Sequence, residues 1–367
     1  MELSSIDSQS ISSESSTGSV HMASSQRLDV SMIGSQLLTQ KYYWKPSKTH
    51  IMSMQFDSES KFLATGALNG GISIYNLYYG HVDATIEAPD ESEEILPDGE
   101  VKYPVTCLKW KPHFGGYRSH SNVLAASYGN NVVKIWDTNS TSDPLTKIIE
   151  EGNTGVYSVD YNLSGGVLAT GGADATLRLY DTSDYRLIQE YSPGYGGKVD
   201  HFNRIHCVKY NPEDEHIIYS CGADKKVSIH DTRMKDPIAS ILGPYVIGDA
   251  LDIQSTKLLT GSYRSEDCLE VWDIRNYKKV DTYEWEPDSE KPSGQVIAAK
   301  FMKGSTYGII AAGRSEKNVK IFDRKNGDVL AKIHGFEEMN YSMDLSHEGN
   351  LVSIGNKNGS VFLYEYE

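Results

Sequence analysis

The sequence predicts an all-β fold made of seven copies of one four-stranded unit, and three observations support this. A pattern of short strands separated by polar turns recurs seven times, with starts at residues 51, 105, 156, 205, 248, 296 and 340. Successive starts are 54, 51, 49, 43, 48 and 44 residues apart, a period typical of four-stranded units with loops of variable length. No helical periodicity of useful length competes with this pattern.

The third repeat shows the pattern most clearly. Val156–Tyr161 alternates apolar and polar residues, as a half-buried strand does. Val167–Gly172 is apolar and ends in small residues, a polar turn follows, and Thr176–Asp181 closes on an aromatic residue and an aspartate. The 32 glycines and 24 tyrosines of the chain agree with many turns and many strands.

The other repeats close on similar dipeptides. These are Tyr75-Asn76, Trp136-Asp137, His230-Asp231, Trp272-Asp273, Phe322-Asp323 and Tyr364-Glu365. The pattern covers nearly everything after residue 40 and resembles the WD-repeat (WD40) family, which implies a seven-bladed β-propeller. The family's Gly-His pair before the first strand is scarce, and His50 is the nearest candidate. The His–Asp–Ser/Thr–Trp hydrogen-bond network typical of the family is therefore expected to be incomplete in most blades.

The last repeat needs a strand from elsewhere in the chain, because only three strands precede Glu367. Residues 38–46 have strand composition, and we expect them to form the outer strand of the last blade. Closing the ring in this way removes an exposed sheet edge, and the family resemblance implies the same closure. We therefore expect a propeller domain over residues 38–367.

Residues 1–37 have a different character. Thirteen serines lie between Ser4 and Ser35, with almost no apolar pattern. Such a segment buries too little apolar surface to offset the entropy lost on ordering. We expect a disordered Ser-rich tail.

The overall charge and cysteine content limit the class of protein. There are 35 Lys+Arg and 50 Asp+Glu, so the formal net charge of −15 argues against a dedicated nucleic-acid binder or anionic-membrane binder. No apolar run approaches the roughly 18–20 residues that span a bilayer. Four cysteines without a CxxC pair favour a reducing compartment. We expect an intracellular protein, cytoplasmic or nuclear.

No pattern typical of catalysis is present in the sequence. Gly194–Lys198 lacks the spacing of a phosphate-binding loop. His201, His206, Cys207 and Cys221 match no known spacing of zinc ligands, and no nucleophile-elbow sequence occurs. We expect no catalytic residues, no cofactor, no metal and no small-molecule substrate.

Partner-binding positions follow from the expected topology, in which strands a to d of each blade run from the channel outward. The top face then carries the second residues of the a strands and the turns between strands b and c. The candidates are Tyr157, His206, Asp249 and Tyr341 from the a strands, and Arg264 and Arg314 from the turns. Aromatic residues mixed with charges are typical of interface anchors. The alternative is that these residues only line a wet channel.

The segment from His81 to Glu100 holds eight acidic residues and no Lys or Arg. Glu91, Glu93 and Glu94 lie at its centre, and a second acidic stretch runs from Asp281 to Glu290. Both stretches are predicted to give the top face a negative field that attracts basic segments of protein partners. The alternative is that the charge serves solubility alone.

Repeats 4 and 5 end in Asp231-Thr-Arg233 and Asp273-Ile-Arg275. This ending resembles the motif by which some WD-repeat proteins dock onto the adaptor of cullin-4 ubiquitin ligases. The alternative is that Arg233 and Arg275 form ion pairs between blades.

These observations favour a non-enzymatic protein-interaction scaffold that works within a multiprotein complex and presents its top-face loops to partner proteins. One alternative is a substrate receptor of a cullin-4-type ubiquitin ligase, acting through Arg233 and Arg275. Another is a structural component of a cytoskeletal or ribonucleoprotein assembly.

Overall fold

In a computed structural model, the protein is a seven-bladed β-propeller. The structure describes the backbone of residues 30–32. It describes the following segments in full: 38–86, 103–112, 122–140, 142–152, 154–193, 200–285, 295–303, 308–313 and 317–366. These segments contain 29 β-strands and no helix. Within them, therefore, no helix is long and apolar enough to cross a membrane. The predicted fold class is confirmed.

The strands form seven antiparallel sheets, one for each blade. Two strands precede the first blade, β1 (Val30–Met32) and β2 (Leu38–Trp44). Blade 1 contains β3 (Ile51–Phe56), β4 (Phe62–Ala67), β5 (Ile72–Asn76) and β6 (His81–Ile86). Blade 2 contains β7 (Val105–Trp110), β8 (Val123–Tyr128), β9 (Val132–Asp137) and β10 (Leu145–Glu150). Blade 3 contains β11 (Val156–Tyr161), β12 (Val167–Gly172), β13 (Leu177–Asp181) and β14 (Leu187–Tyr191).

The remaining four blades follow the same plan. Blade 4 contains β15 (Ile205–Asn211), β16 (Asp214–Gly222), β17 (Lys226–Asp231) and β18 (Ala239–Leu242). Blade 5 contains β19 (Leu251–Gln254), β20 (Lys257–Gly261), β21 (Leu269–Asp273) and β22 (Lys278–Tyr283). Blade 6 contains β23 (Val296–Phe301), β24 (Gly308–Gly313), β25 (Val319–Asp323) and β26 (Val329–Ile333). Blade 7 contains β27 (Asn340–Leu345), β28 (Leu351–Asn356) and β29 (Val361–Tyr366).

The first strand of each blade lies innermost. First strands of neighbouring blades contact one another, as β3 does with β7 and β11 with β15, whereas fourth strands such as β22 are largely exposed. The a strands therefore run along the channel from the top face to the bottom face. The d–a connections and b–c turns lie at the top, and the a–b and c–d turns lie at the bottom.

The fourth strand of blade 7 comes from the N-terminal side of the chain, as predicted. β2 pairs antiparallel with β29, from Leu38 opposite Tyr366 to Trp44 opposite Val361. Leu38 is buried, and Lys41 forms an ion pair with Glu365 at 3.2 Å. The strand is two residues shorter than the predicted 38–46. This pairing confirms that an N-terminal strand closes the ring.

Blade 6 has a fifth strand that the sequence did not indicate. β1 lies in the region assigned to the tail and pairs antiparallel with β26, from Val30 opposite Ile333 to Met32 opposite Ala331. The outer strand of a blade presents unpaired backbone groups, and any extended segment nearby can pair with them. Residues 1–29 and 33–37, on which the rest of the tail prediction falls, lie outside the described segments.

The apolar core is divided among the seams between neighbouring blades. One cluster joins Ile74 of blade 1 to Trp110 of blade 2, and another joins Leu179 of blade 3 to Val208 of blade 4. The blades approach so closely that a methyl group on Gly171 would lie 2.6 Å from Cγ2 of Ile205 in the next blade. This crowding explains why the b strands end in small residues.

A hydroxyl group on strand b can form a hydrogen bond that links it to strand c of the same blade. In blade 5 the indole Nε1–H of Trp272 donates to Oγ1 of Thr260 at 3.0 Å. Blade 2 has Trp136 at the same register, but Ala126 stands where Thr260 stands in blade 5. The buried Nε1–H of Trp136 has no hydrogen-bond partner among the described residues. A buried donor without an acceptor destabilises the folded state and so lowers the free energy of unfolding.

The substitution Ala126→Ser is expected to stabilise the protein by about 1 kcal/mol, because it supplies the acceptor that Trp136 lacks. The matched control is Ala311→Ser in blade 6, where the register places Phe322 in the position of Trp136. Phe322 has no donor, so the control is expected to lose about 1–2 kcal/mol. Thermal and denaturant unfolding of both variants measure the difference. Equal effects in the two blades would contradict the explanation.

Candidate functional site

Two stacked aromatic pairs lie at the top mouth of the channel. The rings of Tyr157 in blade 3 and His206 in blade 4 are 5.1 Å apart and 18° from parallel. Tyr341 in blade 7 stacks on His50, which precedes blade 1, at 4.9 Å and 15°. Three of the predicted partner-binding residues are thus brought into pairs that bridge adjacent blades. All four rings are half-buried, so each keeps some accessible surface.

Further aromatic side chains from the d–a connections and the b–c turns lie on the same face. We define the top aromatic surface by these residues together with the two stacked pairs: His50, Tyr103, Tyr157, Phe202, His206, Tyr245, Tyr263 and Tyr341. Phe202 is 67% exposed and Tyr103 is 43% exposed. Large exposed aromatic side chains in one region are typical of a protein interface.

His206 is neutral at physiological pH. Burial of its ring lowers its pKa to about 4, and the nearby positive charge of Arg204 acts in the same direction. The stacked pair of Tyr157 and His206 therefore presents uncharged rings, whose faces attract cations.

The structure places the other predicted top-face residues in different surroundings. Arg264 donates to the Glu270 carboxylate at 2.7 Å within blade 5 and to the backbone oxygen of Asp267. Asp249 points into the channel. Arg314 lies outside the described segments, as do Glu91, Glu93 and Glu94. The role of these six residues in partner binding stays a prediction, as does that of Tyr157, His206 and Tyr341.

The lower part of the channel is lined by alternating charges that the sequence analysis missed. The fifth residue of strand a, or its equivalent in blade 5, is Gln, Lys, Asp, Lys, Asp, Lys and Asp around the ring. These residues are Gln55, Lys109, Asp160, Lys209, Asp252, Lys300 and Asp344, and all of them line one cavity of about 440 Å³. We call them the channel ring.

The three aspartates of the channel ring also join neighbouring blades. The carboxylate of Asp160 accepts from the backbone N–H of Tyr210 in blade 4 at 2.7 Å. Asp252 accepts from Phe301 in blade 6, and Asp344 accepts from Phe56 in blade 1. Each aspartate therefore fixes the end of the next a strand. These bonds make the channel ring a structural element.

Asp249 lies between two lysines of the channel ring. Its carboxylate oxygens are 2.7 Å from Nζ of Lys209 and 2.6 Å from Nζ of Lys300. Burial alone would raise the pKa of the Asp249 carboxyl, but the two ammonium groups hold it well below its usual value. Asp249 is thus ionised throughout the physiological range and neutralises charge from two blades.

On the bottom face, Arg233 and Arg275 each fold back onto the aspartate two residues earlier. Arg233 donates through Nε and Nη2 to both carboxylate oxygens of Asp231, at 2.8 and 2.6 Å. Arg275 makes the same pair of bonds to Asp273, at 2.9 and 2.6 Å. Each of these ion pairs therefore lies within one Asp-x-Arg motif. The alternative prediction, that Arg233 and Arg275 pair with residues of neighbouring blades, differs from this arrangement. The hydrogen bonds from Arg233 lower the pKa of Asp231 to about 2.

Blade 4 contains a buried hydrogen-bonded chain of four side chains. Nδ1 of His201 is 2.7 Å from the Asp224 carboxylate, and Nε2 of His201 is 2.7 Å from Oγ of Ser220. Ser220 in turn lies 3.0 Å from Nε2 of His230. Asp, His and Ser in this order match the geometry of a nucleophilic triad. The side chains of Ser220, His201 and His230 are 0% exposed, so no substrate reaches the hydroxyl of Ser220. This series of hydrogen bonds is therefore structural.

The sequence pattern indicated His50 as the nearest candidate for the histidine of such a network and did not indicate His201. His201 follows Asp200 where a glycine was sought, so the Gly-His criterion was too strict. A usable signal was present, because His201, Ser220 and Asp224 precede the closing His230-Asp231 in the order that the network requires. In blade 3, Glu151 takes the position of the histidine and accepts from Oγ1 of Thr170 at 2.6 Å.

Comparison with known proteins agrees with this architecture. The family model described as "WD domain, G-beta repeat" matches residues 39–76, 144–181 and 197–231. These matches fall on blades 1, 3 and 4, each together with sequence that precedes the blade. This chain contains WD repeats.

The relatives of this WD-repeat protein include other WD repeat-containing proteins and an E3 ubiquitin-protein ligase. It is 25% identical to WD repeat-containing protein RUP1 of Arabidopsis thaliana over 75% of this chain and 67% of that protein. It is 20% identical to the E3 ubiquitin-protein ligase COP1 of the same plant over 69% of this chain but only 34% of COP1. It is 27% identical to the human F-box-like/WD repeat-containing protein TBL1X over 55% of this chain and 34% of TBL1X.

The substitution Asp249→Asn is expected to destabilise the WD-repeat protein by about 1–3 kcal/mol at pH 7, because it leaves Lys209 and Lys300 without their shared counter-charge. This destabilisation is smaller than that expected for a fully buried ion pair, since the Asp249 side chain is 38% exposed to the channel. The folded-state pKa lies below the unfolded value of about 3.9. The stabilisation is therefore complete at neutral pH and is lost as the pH falls below about 4.

The role of the Asp249 charge is tested by measuring the unfolding of the wild-type protein and of this variant at pH 7 and at about pH 3. The difference in stability between the two is expected to shrink at the lower pH. Asp281→Asn, on the exposed strand β22, is the control and is expected to change little at either pH. A difference between wild type and Asp249→Asn that is unchanged by pH would show that the carboxylate does not act through its charge.

Proposed function

We propose that this WD-repeat protein is a non-enzymatic interaction scaffold that binds protein partners on its top aromatic surface within a multiprotein complex. The observation that carries the proposal is the set of aromatic side chains that the top loops of several blades supply, with Phe202 and Tyr103 well exposed. The a strands beneath them are joined across the seams by buried hydrogen bonds such as Ser158 Oγ with the N–H of Val208, at 3.0 Å. A rigid platform of this kind loses little entropy when a partner docks.

The partner segment in this proposal is basic. Stacked, uncharged rings such as Tyr157 with His206 offer faces to Lys or Arg side chains. The acidic stretches around Glu91, Glu93 and Glu94 and from Asp281 to Glu290 supply an attractive field. The intracellular location, cytoplasmic or nuclear, is part of the same proposal and rests on the four cysteines, which are all free thiols.

Affinity purification with mass spectrometry, comparing the wild type with the double variant Tyr157→Ala plus Phe202→Ala, tests the use of the top face. The specific partner signal of the variant is expected to fall at least tenfold, because the changes remove the half-buried ring of Tyr157 and the exposed ring of Phe202. Leu242→Ala is the matched control, since Leu242 is 75% exposed but lies on the outer strand β18. Partners captured equally by all three proteins would place the binding surface elsewhere.

The charge component has its own measurement. Capture of the same partner is expected to fall as salt is raised from low to physiological concentration, and to fall in the triple variant Glu91→Gln, Glu93→Gln and Glu94→Gln. Binding that depends on the aromatic surface but is insensitive to both changes would keep the scaffold and exclude the basic segment.

A second candidate function is that of a substrate receptor for a cullin-4-type ubiquitin ligase. Two observations favour it. Arg233 and Arg275 lie on neighbouring blades with side chains 61% and 69% exposed, each held in one orientation by its bidentate ion pair. The relatives COP1 and TBL1X also carry the words ubiquitin ligase or F-box-like in their names.

A pull-down with the purified cullin-4 adaptor tests this second function. The double variant Arg233→Ala plus Arg275→Ala is expected to lose the adaptor by tenfold or more if both guanidinium groups dock. Arg186→Ala is the control, because Arg186 is also exposed near the c–d turn of blade 3 and pairs with Asp184. No capture by the wild type, or equal capture by the double variant, would exclude the receptor function.

A further inference from the structure

Blade 4 differs from blades 2 and 5 at the closing aromatic position. Trp136 and Trp272 occupy this position in blades 2 and 5, whereas blade 4 has His230. The ring of His230 is completely buried and packs against Tyr191, with ring centres 4.6 Å apart. A buried imidazole brings a nitrogen donor to a place where the tryptophan blades have an indole N–H.

Three donor groups converge on one point in this blade. A ring nitrogen of His201, a ring nitrogen of His230 and a carboxylate oxygen of Asp200 all lie within 4.8 Å of one another. Nε2 of His230 is 3.7 Å from Oδ1 of Asp200. Tetrahedral coordination with bonds of about 2.0–2.1 Å separates its donors by roughly 3.4 Å. The separation of His230 Nε2 and Asp200 Oδ1 is therefore close to that of two ligands of one metal ion.

The orientation of His201 is also that of a metal ligand. Its Nδ1–H donates to the Asp224 carboxylate at 2.7 Å, which leaves the lone pair on Nε2. A carboxylate that holds the far nitrogen of a histidine is the usual outer partner of a metal-bound imidazole. Ser220 Oγ, 2.7 Å from Nε2 of His201 and 3.0 Å from Nε2 of His230, lies between the two rings.

Two buried polar atoms lie beside the cluster without a hydrogen-bond partner among the described residues, although neither is one of the converging donor atoms. These atoms are Asp224 Oδ1 and His230 Nδ1. Asp200 is also buried.

We propose that blade 4 contains a structural Zn²⁺ site formed by His201 Nε2, His230 Nε2 and the Asp200 carboxylate, with Ser220 at the fourth position. Two imidazole nitrogens and oxygen donors in a tetrahedral arrangement suit Zn²⁺ better than Ca²⁺ or Mg²⁺, which require six or more oxygen ligands. The site is closed to solvent and therefore stabilises the blade without performing catalysis. It is independent of partner binding at the top face.

The proposal revises the expectation of no metal in a specific way. Of the four residues weighed in the sequence as zinc ligands, only His201 belongs to the cluster. His206 stacks on Tyr157 at the channel mouth, and Cys207 and Cys221 face each other as a cross-strand pair of free thiols. The ligands that the sequence did not suggest, Asp200 and His230, are 30 residues apart and meet only because strand c lies beside the d–a connection.

Metal content of the untagged, full-length protein tests the site. The protein is refolded with ZnCl₂, freed of loose metal by gel filtration, and analysed by inductively coupled plasma mass spectrometry. We expect one zinc per chain in the wild type and in the control His81→Ala, a histidine outside the cluster. Refolding with Co²⁺ in place of Zn²⁺ is expected to give the visible absorption of tetrahedral cobalt in the same two proteins.

The decisive variant is His230→Trp, which installs the residue that blades 2 and 5 carry at this position. It is expected to fold and to lose the bound zinc, and a chelator is expected to lower the unfolding temperature of the wild type but not that of the variant. Asp200→Asn keeps the side-chain shape and is expected to bind zinc at least tenfold more weakly, which covers the case that His230→Trp does not fold. A metal-free wild type, or equal zinc in the variants, would overturn the proposal.

Discussion

The structure depends on one non-covalent pairing, that of β2 with β29. The family matches at 39–76 and 144–181 each begin at or next to the outer strand of one blade and end on the third strand of the next. Each such repeat therefore links two blades covalently, and only the last blade must be completed by hydrogen bonds between distant parts of the chain. The closing seam reproduces the contacts of the others, since a methyl group on Gly355 would lie 2.6 Å from Cγ2 of Ile51. Ser342 Oγ donates to the backbone oxygen of Ile51 at 2.9 Å across the same seam.

A closed ring of seven also constrains the charges inside it. Lysine and aspartate alternate around the channel ring, and two alternating charges cannot fill an odd number of positions without placing like charges side by side. The mismatch falls at blade 1, where Gln55 is neutral and its amide donates to the Asp344 carboxylate at 3.3 Å. A lysine at this position would stand beside Lys109, and an aspartate would stand beside Asp344. The neutral side chain resolves the mismatch at the same seam where the ring closes.

The sequence predicted the repeating architecture and the closing strand because both follow from local patterns of apolar residues and from the number of strands. It did not predict the channel ring, because alternation between residues about 50 positions apart becomes visible only when the a strands are laid side by side. Asp249 was assigned to the top mouth by its position in the strand, yet the long side chains of Lys209 and Lys300 draw its carboxylate into the channel. The three residues of β1, Val30-Ser31-Met32, are too few for an alternation of apolar and polar residues to mark them as a strand.

The distribution of satisfied polar groups separates the structural interior from the recognition surface. Lys109, Lys209 and Lys300 each form an ion pair with an aspartate in the channel, at 3.0, 2.7 and 2.6 Å. A ligand entering there must break charge pairs that also hold neighbouring blades together, and the lost pairing offsets much of what its own contacts contribute. The rings of the top aromatic surface face no such competition, because their partly exposed faces can be covered without disturbing any ion pair. These contacts favour the top face over the channel as the surface for the proposed recognition, and the channel beneath keeps that face rigid.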